Sequence, residues 1–313
     1  MFLFECFLTV ILSLIWAIFF ISHRVLVHQM GIPVIIAGFW TRVIGISLLF
    51  TTIVLHRELR EFIHPGKLLK FALLIGAGAF GINLCALIGF KFTDASSGAI
   101  IQKTDILFTL IASHFLLREK MYRSDWMGTL LMILGTVVLL WEKILHMAPS
   151  LIGDSLLLLS AVLLTANAFI IKMKLGPMSH RVIATYNSSV TLSGFAILLL
   201  AGMLWGDLES PAMVFRAWPS ALMAILAGGS IAGLFLLYYR ALARLPFWLV
   251  RVLLLFTPVW SVAIEYAFLD KKLLLHEIPG IMVILAGAAL IVLSHDRRHR
   301  AESAAHEVRE DLT

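Results

Sequence analysis

Apolar runs of about 20 residues, the length that crosses a bilayer as a helix, recur along this chain with only short polar breaks between them. Of its 313 residues 60% are hydrophobic and 14% charged. A soluble domain averages roughly 45–50% apolar and 25% charged, so there is too little polar surface here to dissolve the folded chain. In a bilayer core every backbone N–H and C=O must be bonded within the protein, which leaves helices for segments of this kind. The runs predict spans at Phe7–His23, Pro33–Leu55, Leu68–Phe90, Ala95–Leu117, Trp126–Trp141, Gly153–Ile171, Val182–Leu204, Ala221–Tyr239, Phe247–Leu269 and Ile278–Ser294. The expected fold is an all-α integral membrane protein of ten transmembrane helices.

The first run lacks the basic start and small-residue cleavage site of a secretory leader, so Phe7–His23 reads as a retained span. Cys6 and Cys85 both lie in apolar segments and imply no disulfide framework. Loop Lys and Arg favour the cytoplasmic side. Arg57, Arg60, Lys67, Lys70, Arg118, Lys120, Arg123, Lys172, Lys174, Arg181, Arg240 and Arg244 all fall in alternate loops of one set. The tail 296–313 joins that side with Arg297, Arg298, Arg300 and Arg309, which puts both termini in the cytoplasm. Topology thus accounts for the basic balance, and nucleic acid is not an expected partner.

A shift of 152 positions lays Gly76 on Gly228, Gly81 on Gly233, Leu84 on Leu236, Leu117 on Leu269, Gly128 on Gly280 and Gly135 on Gly287. One offset serving three helices implies an internal repeat, with residues 1–145 and 146–295 as the two copies. Five spans per copy is an odd number, so the second copy inserts upside down. Two inverted five-helix repeats are a transporter architecture, with the substrate held near the midplane between them. Small residues four apart (Ala72 and Gly76, Ala77 and Gly81, Gly228 and Ala232, Gly229 and Gly233) offer close packing faces on the third and eighth spans.

Polar groups inside the spans are costly and mark candidate sites. The fourth span carries Lys103, Thr104 and Asp105. On a continuous helix Lys103 and Asp105 stand about 200° apart, so they cannot pair along its surface and need partners elsewhere. Arg42 is the expected partner of Asp105, and Glu265 that of Lys103 or His114. Arg251 is expected to snorkel toward the near membrane face. Asn83 adds a neutral polar group, and Trp16 and Tyr239 are expected to line a cavity with these residues. Trp126, Trp141, Trp205 and Trp218 fall near span ends and read as interfacial anchors. The charges either lock the bundle or bind substrate and protons. Neither a catalytic constellation nor a metal-ligand spacing is visible, and no cofactor is implied.

Trp16, Arg42 after Phe39-Trp40-Thr41, Ala95-Ser96-Ser97-Gly98-Ala99-Ile100-Ile101, Leu116-Leu117-Arg118-Glu119, Tyr239 to Pro246 and Thr257-Pro258-Val259 together resemble the EamA-type members of the drug/metabolite transporter superfamily. The resemblance covers the chain from about Phe7 to Ser294. It departs where Ile106 stands in place of the mid-span proline that is Pro258 in the second copy. The resemblance implies a secondary transporter, not an enzyme, exporting a small organic metabolite such as an amino acid across a bacterial inner membrane. Proton coupling through Asp105 or Glu265 and a homodimer through the fifth and tenth spans are further expectations. The competing readings are a flippase or membrane-embedded enzyme acting on lipid-linked groups, and a non-transporting scaffold.

Overall fold

The computed structural model describes residues 2–92, 101–145, 150–174, 176–206, 208, 210–268 and 277–310, with side chains for all of these except 90, 91, 143, 296 and 298–310. In chain order the helices are α1 (Phe2–Arg24, ending in a π-turn Val25–Gln29), α2 (Val34–Leu55), α3 (Leu59–Ile63) and α4 (Leu69–Phe92). Next come α5 (Asp105–Ile111, running into a π-turn Ala112–Leu116), α6 (Arg123–Leu139), α7 (Trp141–Leu145), α8 (Leu151–Lys174) and α9 (His180–Leu204). The last are α10 (Trp218–Arg244), α11 (Phe247–Leu253), α12 (Phe256–Phe268) and α13 (Glu277–Glu310).

Among the described residues, eight helical segments are long and apolar enough to cross a membrane, and Asp105–Leu116 is a shorter apolar segment. The protein is therefore an integral membrane protein. Ten full spans were expected, and two fall short of that expectation for separate reasons. The 95–100 part of the fourth lies outside the described residues, as do Leu269, Asp270 and Lys271. The fifth, α6, has 17 residues and is only about 26 Å long at 1.5 Å per residue.

The helix ends sort into two faces. At one, the Phe2 ring stacks on His295 at 4.0 Å, and Glu5 accepts two bonds from Arg240 at 2.8 and 3.2 Å. This basic face also holds the ends of α2, α8 and α10. At the other face Arg24 meets Glu265, and Trp40 Nε1 donates to Pro211 O at 2.7 Å. Gly31, at φ +67°, turns the chain there from α1 toward α2, a backbone conformation that glycine adopts without strain. The expected anchors Trp126, Trp141, Trp205 and Trp218 are 44–79% exposed.

Packing pairs α1 with α10 and α12, α2 with α9 and α10, α4 with α8 and α9, and α6 with α13. The small-residue faces of α4 and α10 are only partly tight. A Cβ on Gly76 would lie 2.5 Å from Val190, and one on Gly228 2.6 Å from Ile44, whereas one on Gly229 would have Leu48 no nearer than 3.9 Å. Backbone approaches backbone most closely between α6 and α13. A Cβ on Gly287 would stand 2.6 Å from Gly128 O, and one on Gly135 2.8 Å from Gly280 O. Lipid provides no hydrophobic drive between helices, so such close van der Waals contact is what holds this pair together. Gly287→Ala is expected to cost about 1–3 kcal/mol through overpacking against a backbone that cannot yield. Gly229→Ala should be neutral or stabilising by up to about 1 kcal/mol through helix propensity. Thermal unfolding of the detergent-solubilised variants checks both.

Candidate functional site

The chain leaves regular helix at two places inside the bundle. At Lys103–Thr104 the backbone tightens, with Thr104 N donating to Ile101 O at 3.0 Å. The Thr104 hydroxyl donates to the same carbonyl at 2.7 Å, a local bond that competes with helix continuation. The second break, between α11 and α12, has a different cause. Pro258 lacks an N–H and its ring crowds the carbonyl four residues earlier, which is Leu254 O. That carbonyl accepts instead from Thr257 N at 3.0 Å and from Thr257 Oγ1 at 2.7 Å. Ile106, in the position of the missing proline, did not predict a break. Thr104 supplies one.

The break turns the helix geometry expected around Lys103 and Asp105 into something else. Asp105 opens α5 and is 9% exposed. Its carboxylate pairs with Arg251 Nη1 at 2.9 Å, not with Arg42 as expected. Arg251 is 4% exposed and does not snorkel. Its Nη2 donates to Leu164 O at 3.3 Å, and its guanidinium lies 5.3 Å over the Tyr238 ring. In a low-dielectric interior a counter-ion outweighs the reach to a membrane face. The pair is fastened to α8 as well, because Thr165 Oγ1 donates to Asp105 O at 3.2 Å. On the near side of the break, Gln102 Nε2 donates to Ser160 Oγ at 3.4 Å.

Lys103 is half-buried at the break and makes no ion pair among the described residues. Arg42 is 5% exposed, reaches Asn83 Oδ1 only at 3.5 Å and lies 5.4 Å over the Phe235 ring. Tyr239 stacks on Phe235 at 5.5 Å and accepts from Asn187 Nδ2 at 2.6 Å. Tyr238 joins this group to Arg251, since its ring is 5.6 Å from Tyr239, and Trp16 meets Tyr238 edge-on at 6.1 Å. Asp105, Lys103, Thr104, Arg42, Asn83, Trp16 and Tyr239 thus belong to one chain of contacts or its margin. Two expected residues lie apart. Glu265 sits at the far face with Arg24 at 2.8 Å, where Arg24 is 62% exposed. His114 is exposed on the π-turn, edge-on to Phe115.

Sequence reasoning missed the closure of the basic face. The Glu119 carboxylate receives Phe247 N at 2.8 and 2.9 Å and Trp248 N at 3.3 Å, so it satisfies free donors at the start of α11. Lys172 Nζ stands 3.0 Å from Glu119 and donates to Leu245 O at 2.7 Å. Nearby, Glu58 holds Arg181 at 2.6 Å and the Ser179 hydroxyl at 2.7 Å. Every residue from Phe247 to Thr257 is buried. The signal that could have found this plug is Leu245-Pro246-Phe247, a helix start with no capping side chain of its own.

Among the described residues no group of His, Cys, Asp or Glu is placed to hold a metal ion. The fold and site define a membrane protein with two interrupted helices meeting around buried charge. The EamA-like transporter family matches the chain over residues 3–141 and again over 151–293, and the protein belongs to that family. It is 23% identical over 290 residues to the uncharacterized transporter YoaV of Bacillus subtilis, covering 91% of this chain and 96% of that one. It is also 23% identical over 300 residues to a probable amino-acid metabolite efflux pump of Salmonella typhimurium, covering 94% and 97%. A solved crystal structure with 18% identity shares the fold at a TM-score of 0.77, covering 94% of this chain and 97% of that chain. Family and relatives indicate a membrane transporter rather than an enzyme.

The Asp105–Arg251 bridge makes a prediction about stability. Asp105→Ala, which strands a buried guanidinium, should cost about 3–5 kcal/mol. The double variant Asp105→Leu with Arg251→Met should recover much of that loss. Thermal unfolding of the single and double variants measures the coupling.

Proposed function

We propose that this protein is a secondary transporter that exports a small organic metabolite, an amino acid or related compound, by alternating access between two inverted five-helix repeats. The observation that carries the reading is the pair of broken helices joined inside the bundle by Asp105 and Arg251. Discontinuous helices around a buried polar site are how transporters of this architecture hold substrate. The division into residues 1–145 and 146–295 is supported by the packing. Exchanging the halves carries the α4–α8 contact onto α10–α1, and α2–α10 onto α9–α4. The relative named as an amino-acid metabolite efflux pump supports the substrate class. Loop charge supports a cytoplasmic basic face, and the bacterial relatives support an inner-membrane location.

In this reading the structure is closed toward the cytoplasm. Glu119 and Lys172, Glu5 and Arg240, and Glu58 and Arg181 form the inner latch, and all three join the halves directly. Rocking toward the inward-facing state breaks these contacts and exposes the buried 247–257 segment. Lys103, half-buried at the break and in no ion pair among the described residues, is a cation available to substrate. Asp105 and Glu265 are the acids through which protons would couple.

Three outcomes test the proposal in proteoliposomes given a metabolite panel and an imposed pH gradient. Wild type is expected to move at least one amino acid or related metabolite, and failure across the panel overturns the reading. Lys103→Gln should fold with at most a small loss of thermal stability, since its ammonium makes no ion pair among the described residues though it lies in the field of Asp105, yet transport at least tenfold more slowly. Asp105→Asn and Glu265→Gln should weaken the response to the pH gradient. A wild-type response in both removes proton coupling through these acids.

A further inference from the structure

Three buried acids inside the spans have cationic partners: Glu5 with Arg240, Asp105 with Arg251 and Glu265 with Arg24. Arg42 has none among the described residues. Its Nη1 is buried without a hydrogen-bond acceptor, and its Nη2 contact at 3.5 Å is at the outer limit of a hydrogen bond. Asn187 Oδ1, on the other side of the Tyr239 hydroxyl, is also buried and unpartnered. A guanidinium buried this deeply without an anion is strongly disfavoured unless some other gain offsets the cost. A structural role alone would be met better by a neutral side chain over Phe235.

Building on the transporter reading above, we propose that Arg42 is the carboxylate-recognition group of the transport site, so that the substrate is a small metabolite bearing a free carboxylate. The planar fork of arginine matches a carboxylate through two parallel N–H···O bonds. Its orientation here is fixed from several directions. Phe235 lies beneath the guanidinium at 5.4 Å, Tyr239 backs Phe235 with rings 5° from parallel, and Asn187 holds the Tyr239 hydroxyl. Asn83, held by its own bond to Ala79 O at 2.6 Å, stands beside Nη2 at 3.5 Å and leaves Nη1 free. The site draws α2 and α4 from the first half and α9 and α10 from the second. A carboxylate bound there would therefore touch both halves, as a substrate that controls their rocking must. The aromatic ladder from Phe235 through Tyr239 and Tyr238 leads on to the Asp105–Arg251 pair, giving the rest of the substrate an apolar wall.

The test uses the purified full chain in detergent, with amino acids and short organic acids each compared with its carboxamide. Ligand-induced thermal shifts give apparent affinities. Wild type is expected to be stabilised by acids of the transported class and not by their amides. Arg42→Gln should lose about 10- to 100-fold in acid affinity, the range expected for a charge-assisted bond, and Arg42→Lys should lose less. Asn83→Asp places a fixed carboxylate beside Arg42 and should abolish acid binding while leaving thermal stability unchanged or raised. That variant decides the matter if Arg42→Gln does not fold. Equal affinity for acids and amides overturns the proposal, as does wild-type acid affinity in Asn83→Asp or in a folded Arg42→Gln. Transport of neutral compounds or amines without carboxylates would sink this inference and leave the transporter reading standing. Absence of any transport in proteoliposomes would sink that reading itself.

Discussion

The bridge from Asp105 to Arg251 is the interaction on which the centre of this molecule depends. Each charge alone in a membrane interior would cost several kcal/mol. Together, with Leu164 O and the Tyr238 ring completing the guanidinium's surroundings, they tie α5 to α11 across two interruptions of the helical ladder. Interrupted backbone is tolerated at membrane depth only where protein or a wet cavity receives it. The ion pair and the neighbouring threonines are what receive it here. The breaks, made by Thr104 and Pro258, and the charges therefore meet at one place, where the pair bridges them.

Around that centre the two faces are built unequally. The basic face is latched by acids that hold both cations and free helix N–H groups, with Glu119 serving both purposes. The other face has Arg24 to Glu265, with Arg24 mostly in the open, and exposed pairs contribute little. The C-terminal part of α12 reflects the same inequality, since Ala263 and Tyr266 are exposed while all of α11 is buried. The two faces are held by different means, ion pairs at the basic one and, at the other, the Trp40–Pro211 bond and the buried cluster of Leu26, Ile32, Ile36 and Val214.

Much of this was legible in the sequence, and the failures are instructive. The apolar runs located the helices because lipid leaves few alternatives to them. The α11–α12 break has a physical signal in Pro258, although Phe247–Leu269 was read as one span, whereas the matching break at Thr104 depends on a side-chain bond that many mid-helix threonines make without consequence. Lys103 and Asp105 announced themselves as charges. Their partners did not, because Arg251 lies only four residues from the start of α11. From sequence that start looks like a membrane edge. In the structure Glu119 and Lys172 close over it and turn Arg251 into an interior residue. Glu265 was likewise given the wrong partner, since nothing in its own helix shows Arg24 at the far face.

The duplicated scaffold and the unduplicated charges carry different information. Glycines shared at one offset bring α6 against α13 in reciprocal contacts, so this pair is a repeated structural device. Arg42, Lys103 and Asp105 have Gly194, Leu255 and Thr257 at the same offset. A symmetric fold needs none of these three charges, and a lone cation in lipid surroundings is lost unless something retains it. Asp105 is retained by Arg251. Lys103 lies in the field of the same Asp105 carboxylate. For Arg42 no acid of the described chain plays that part, and a group that arrives with the substrate is the account proposed above.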